Sequence, residues 1–317
     1  MKNLFLLIAI CFVQNVLAKT KLDSIMMVQN PGSTSCFDEE FFCDACGCAA
    51  GNGSSGFESL LNPQFIGVKY FAQHYKAKEN LFTNNLTQDQ YFNTIQVWGK
   101  IPITKKLSVY ASIPLQSHHK TTVNGDAKIS GIGDANVMGI YQIVNSKNTF
   151  HQLNGGFGVK IPTGKFDEKS ASGTNPSFQL GTGSWDYQLV INYKYQKNKL
   201  ALMFNSDYIV KTENKKHYQF GNQWNYAATS FHNIWKNENS IISGKLGLQG
   251  EIFESNKQFQ ENIPKTSGDS LYGKFGFEAS YKKWSLGSEI MLPIHSNLAH
   301  GDIEAKFRLG IFINFGL

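Results

Sequence analysis

Four cysteines, Cys36, Cys43, Cys46 and Cys48, stand close together in the spacing C-x6-C-x2-C-x-C. An even set in an exported chain points first to disulfides. Cys46 and Cys48 are too close to bridge without strain, so the expected bridges join Cys36 to one of the later cysteines and Cys43 to another. A tetrahedral metal site is the alternative, although the spacing is not a zinc-ribbon pattern and the segment holds no histidine. A second candidate metal set is His118, His119, His295 and His300, which with His74 and His217 fall toward one end of the predicted strands. Imidazoles gathered there could bind a transition metal or respond to pH; the plainer reading is solvated loop residues, because a site needs three or four converging ligands. Ser230 and His232 are the one hint of nucleophilic catalysis. Side chains at i and i+2 on a strand stand about 7 Å apart, too far for a direct bond, and no third group to orient the imidazole can be named.

The elements that must carry these residues are strands. The last sixteen residues, DIEAKFRLGIFINFGL, place Ile303, Ala305, Phe307, Leu309, Ile311, Ile313, Phe315 and Leu317 on one face. Opposite them stand Glu304, Lys306, Arg308, Gly310, Phe312, Asn314 and Gly316. A period of two is a strand, and this length suits a tilted strand that crosses a bilayer with some overhang. The apolar face then meets lipid and the charged face a wet interior. Twelve alternating segments follow residue 64, at roughly 64–76, 90–101, 107–117, 133–145, 150–162, 184–196, 199–211, 217–235, 239–253, 270–281, 284–295 and 302–317. The eighth carries aromatics on both faces, so its parity stays unassigned.

Connections between the segments alternate between short and longer. That is the asymmetry of an outer-membrane barrel, with tight periplasmic turns and longer outer loops, and it places both chain ends in the periplasm. Lys2, the apolar run Leu4 to Val13 and Val16-Leu17-Ala18 have the form of a secretory signal cut after Ala18. Residues 19–61 then read as a cysteine-rich periplasmic extension or plug, and 62–317 as the barrel. The net charge of +6 decides little, and no basic cluster interleaved with aromatics argues for nucleic acid. Three prolines, Pro114, Pro162 and Pro293, recur on the inward face at the outer ends of upward strands, where they mark either loosened ladders or simple strand stops.

Three glycine motifs make the chain similar to a known family. Gly131-Ile132-Gly133-Asp134, the run Gly158 to Gly164 (GVKIPTG), and the run Leu180 to Asp186 (LGTGSWD) resemble the family named for a MetA pathway of phenol degradation. That family is itself similar to the channels for long-chain fatty acids and aromatic hydrocarbons. The resemblance implies an outer-membrane barrel that moves small, often apolar, compounds. Physically, glycines at strand-loop junctions permit positive φ and let a loop fold back into the lumen. They form no phosphate loop, because no helix pattern follows them.

The sequence thus predicts an all-β, twelve-stranded, antiparallel, up-and-down transmembrane barrel in a bacterial outer membrane. Twelve strands about 4.8 Å apart and tilted about 40° close at a backbone radius of roughly 11 Å, which favours a narrow conduit over an open porin. Strand parity predicts a lumen lined by Lys160, Asp186, Lys194, Lys245, Glu251, Lys274, Glu278, Glu289, Glu304, Lys306 and Arg308. The expected partners are outer-membrane lipid and small-molecule solutes, with no cofactor. The expected function is passive or gated passage of small solutes without catalysis. The alternatives are a phospholipase-like barrel enzyme and a structural or adhesive barrel.

Overall fold

The computed structural model describes residues 61, 64–78, 87–122, 125–145, 150–167, 169–170, 173–174, 176 and 178–317. The signal segment and the four cysteines lie outside the described residues. The chain forms β1 (Phe65–Lys78), β2 (Thr87–Pro102), β3 (Leu107–Thr122), β4 (Gly125–Ile132), β5 (Ala135–Asn145) and β6 (His151–Ile161). Two short strands follow, β7 (Lys169–Ser170) and β8 (Gly173–Thr174), and then β9 (Asp186–Lys197) and β10 (Leu200–Lys211). Next come β11 (Tyr218–Gln219), β12 (Gln223–Lys236), β13 (Ser240–Phe253), β14 (Lys257–Gln258) and β15 (Glu261–Asn262). The chain ends on β16 (Gly268–Tyr281), β17 (Trp284–Asn297) and β18 (Ile303–Gly316). The long strands pair antiparallel in chain order, and β1 pairs with both β2 and β18, so the sheet closes on itself. β4 and β5 pair with successive stretches of β3 and act as one interrupted wall strand, giving a closed barrel of twelve.

Alternation sorts the side chains as a bilayer requires. Leu189, Ile191, Leu246 and Leu248 are exposed on the outside, whereas Gln188, Lys245, Gln249 and Glu251 are buried within. Exposed aromatics gather at both ends of the wall: Trp185, Tyr187, Trp224 and Tyr226 at one, Tyr141, Trp235, Tyr281 and Trp284 at the other. Rings with a polar tip are satisfied at headgroup level, so these are the two interfacial girdles. Tight turns join strands at one end, hereafter the turn end. Asn198 and Lys282 take positive φ there, and the Asn237 side chain accepts from the backbone N–H groups of Asn239 and Ser240. The longer connections lie at the opposite, loop end.

Several local readings needed the third dimension. Residues 118–132, expected as an outer loop, are mostly strand, because β3 runs on to Thr122 and pairs with β4. The eighth segment is split: Tyr218–Gln219 leaves the wall to pair with β14, and β12 buries Asn225, Ala227, Thr229 and Phe231 while exposing Trp224 and Tyr226. The largest departure is in β18. There the pairing passes from His74↔Phe307 to Tyr75↔Ala305, leaving Lys306 as an extra residue on the bulged strand. An extra residue inverts parity on one side of it. Ile303 and Ala305 are therefore buried, and Glu304 is exposed instead of lining the lumen.

Each proline of the Pro114, Pro162 and Pro293 series stands where a ladder is interrupted. Pro114 lies at the step where β3 changes partner from β5 to β4, and β6 ends at Ile161, just before Pro162. Pro293 adjoins the register shift between β16 and β17. Proline supplies no N–H to a ladder, which accounts for all three positions.

Candidate functional site: the barrel lumen

The interior is layered. At mid-height the fully buried Arg308 guanidinium donates from Nη1 to Glu251 Oε1 at 2.6 Å and from Nη2 to Glu251 Oε2 at 2.8 Å. Nη2 also donates to the Tyr75 hydroxyl at 2.8 Å, and the Tyr272 ring lies 4.2 Å from the guanidinium carbon. A bidentate pair with an aromatic face is the arrangement in which a buried arginine keeps its charge at least cost. Lys245 and Lys274 extend the network, lying 4.0 and 3.7 Å from Glu289, and Lys245 is also 3.8 Å from Glu278. In this network three cations face three carboxylates.

Toward the loop end an apolar cluster lies among buried polar groups such as Gln90 and Lys211. Phe71, Tyr75, Phe92, Tyr272 and Met291 from the wall join one buried cluster with Ile303 and Ala305, the residues that the β18 bulge turns inward. Phe178 and Leu180 complete it, and they come from the connection between β6 and β9. At the turn end a second cluster packs Phe65, Trp98 and Phe312, with the Lys69 ammonium 4.4 Å from the Trp98 ring.

What folds the β6–β9 connection inward is a hydrogen-bonded knot built from the three glycine motifs. Asp134, at the corner between β4 and β5, accepts from Gly164 N at 3.0 Å, Thr182 N at 2.9 Å and Thr182 Oγ1 at 3.1 Å. Thr163 Oγ1 donates to Gly133 O at 2.6 Å and accepts from Ala135 N at 2.9 Å. Lys160 bridges Asp134 at 3.3 Å and pairs with Asp186, which also accepts from Ser184 Oγ at 3.0 Å. Gly164 and Gly181 meet backbone to backbone: a Cβ on Gly164 would fall 2.6 Å from the Leu180 carbonyl oxygen. Here glycine is required for close approach, not for conformation.

Of the sequence-predicted lumen residues, Lys160, Asp186, Lys245, Glu251, Lys274, Glu278, Glu289 and Arg308 are buried within the barrel, and Lys194 is half-buried on the same face. Lys160 and Asp186 belong to the knot; the other six buried residues form the mid-height layer. Glu304 and Lys306 are the exceptions: they pair with each other at 2.5 Å at the bulge, Glu304 exposed on the outer face. The histidines do not converge. His118 points inward and its neighbour His119 outward, 3.4 Å from Asp126; His295 lies 3.1 Å from Asp269, and His300 contacts Ser267. Among the described residues no group of three potential ligands could hold a metal ion. Ser230 and His232 share the outer face of β12, where Ser230 Oγ donates to the Leu246 carbonyl. Parity reasoning missed Lys69, Gln73, Tyr75 and Tyr272. Their inward face mixes charged, amide and aromatic side chains, and only the register with β18 and β13 shows it to be one face.

Comparison with known proteins agrees with this architecture. An outer membrane channel from Pseudomonas putida F1 is similar at a TM-score of 0.62 and 15% identity, over 82% of this chain and 98% of that one. The beta domain of the Bordetella autotransporter BrkA is similar at a TM-score of 0.51 and 8% identity, over 80% of this chain and 99% of that one. At these identities the likeness is one of fold. No curated protein matches the chain in sequence. The family profile that does match spans residues 80–291 and contains all three motifs of the Asp134 knot. On that match, the chain belongs to the outer-membrane barrel family described as "Putative MetA-pathway of phenol degradation".

Proposed function

We propose that the barrel conducts small, predominantly apolar solutes across the outer membrane, and that Phe178 to Trp185, the described end of the β6–β9 connection, is its gate. The observation that carries this reading is the apolar cluster inside the wall, to which Phe178 and Leu180 of the connection and Phe92, Tyr272 and Met291 of the wall all belong. A hydrophilic porin keeps a polar, water-filled interior. A lumen lined with aromatic and thioether groups instead offers an apolar solute a partition site. Below it, the balanced layer of Arg308, Lys245, Lys274 and their carboxylates favours neither ion sign. The Pseudomonas putida neighbour, itself an outer membrane channel, is in keeping with this role.

In this reading the turn end faces the periplasm, the side on which outer-membrane barrels carry their tight turns. The described chain begins at that end, where Leu61 N donates to Glu278 Oε1 at 3.1 Å close to the β16–β17 turn. Swelling of vesicles reconstituted with the purified protein tests the conduit. Disaccharides should enter slowly, and an added apolar solute should suppress the residual ion conductance saturably. Disaccharide entry at the rate of an open porin would overturn the reading.

A further inference from the structure

Neighbouring turns at the turn end carry charge of almost one sign. Lys197 and Lys199 flank Asn198 between β9 and β10, Lys236 opens the turn between β12 and β13, and Lys282 and Lys283 make the turn between β16 and β17; all five are exposed. Glu238 is the single acidic side chain among the described residues of these turns. Asn233 N donates to the Lys199 carbonyl at 2.8 Å, and Lys282 N to the Asn239 carbonyl at 2.7 Å, so the lysines lie on one continuous arc of the rim. Exposed rings adjoin them. Trp235 precedes Lys236, and Tyr281 and Trp284 bracket the lysine pair. The Lys282 ammonium lies 5.4 Å from the Tyr281 ring centroid, and the Lys283 ammonium 5.5 Å from that of Phe315. The loop end differs: there Glu213, Glu254, Glu261 and Asp269 stand among Lys215, Lys216, Lys257 and Lys265.

We propose that this lysine arc is a lipid-binding surface, and that it selects phospholipids whose headgroup carries net negative charge, in the leaflet that the tight turns face. The rings fix its height. Tyrosine and tryptophan settle at headgroup level, so ammonium groups next to them in the chain stand among the phosphates. A lysine stem lies along apolar surface while its head stays in a polar layer, which lets each of the five adjust to a headgroup. A zwitterionic headgroup brings its own cation, which cancels much of the attraction. A headgroup with net charge lets several lysines act together and relieves their mutual repulsion. An acidic protein would match the charge too, but Trp235, Tyr281 and Trp284 are continuous with the lipid-facing wall and hold the arc at the membrane border. The inference goes beyond the transport reading and does not depend on it.

The test reads quenching of Trp235 and Trp284 by brominated lipids around the full barrel in vesicles. Trp185→Phe and Trp224→Phe remove the exposed tryptophans of the opposite girdle, and Trp98 is buried inside the wall. Brominated phosphatidylglycerol and brominated phosphatidylcholine are compared at equal mole fraction. The anionic lipid should associate about fivefold more strongly, the effect of a single lysine near an anionic surface, and should lose most of that preference at about 0.5 M salt. The combined variant Lys197→Gln, Lys199→Gln, Lys236→Gln, Lys282→Gln and Lys283→Gln should abolish the preference. The loop-end set Lys215→Gln, Lys216→Gln, Lys257→Gln and Lys265→Gln should keep it. The salt dependence is read with every lysine in place, so it holds even where the arc variant fails to fold. Equal quenching by the two lipids at low salt, or an undiminished preference in the arc variant, would overturn the proposal. Salt-sensitive binding of poly-glutamate to the arc without any lipid preference would also overturn it, and would make the arc a protein-docking surface. None of these outcomes bears on solute entry, which tests the transport reading separately.

Discussion

Arg308 keeps its charge inside the wall because Glu251 takes two of its N–H groups and Tyr75 and Tyr272 surround the rest. Removing one partner leaves the other buried without compensation, which typically costs 3–5 kcal/mol. Arg308→Ala should therefore lower stability by about that amount, read as a reduced midpoint in urea unfolding from lipid vesicles. The double variant Arg308→Met with Glu251→Gln should recover most of the loss, since no net charge is then stranded. A single-variant loss under 1 kcal/mol would show that the pair is solvated. Lys245, Glu251 and Arg308 were legible in the sequence, each a charge on an otherwise alternating strand whose parity no bulge had shifted. Tyr75 and Tyr272 were not, because nothing in an aromatic residue's own stretch says whether it faces a lumen or a headgroup layer. Asp134 was visible as part of a motif, but its acceptor role depends on Gly164 and Thr182, which only the folded connection brings to it.

At the level of elements, the twelve alternating segments correspond closely to the wall strands, because in a bilayer every strand must present one apolar face and pair on both edges. The pattern failed where an extra residue shifts parity. A bulge leaves no trace in a run such as IEAKFRLG, whose small and apolar residues fit either face, so Glu304 was assigned inward. Labelling settles the geometry: Glu304→Cys should react readily with a polar maleimide on the assembled barrel, and Ala305→Cys should stay protected. The reverse pattern would restore the unbroken alternation. The β6–β9 connection depends on Asp134 in the same way that β18 depends on its bulge. Asp134→Ala removes the acceptor of three hydrogen bonds and a partner of Lys160. Limited proteolysis should then cut within 163–185 several-fold faster than in wild type, while the wall stays resistant. Unchanged cleavage would mean that packing of Phe178 and Leu180 alone holds the connection.

For the whole molecule, the alternation of tight turns and long connections gives the barrel two different ends, and the proposed orientation puts the long connections outside the cell. Phe259→Cys, in the connection that carries β14 and β15, should be labelled on intact cells, and Lys282→Cys, in the β16–β17 turn, only after the outer membrane is breached. The central claim is that the wall encloses a route for apolar solutes and not for hydrophilic ones. The most direct measurement is the initial rate at which intact cells, with and without the protein, take up a benzene-sized fluorescent solute and a labelled disaccharide. The protein should raise the rate for the apolar solute several-fold and leave the disaccharide unchanged. An unchanged rate for the apolar solute, or an equal rise for both, would contradict it.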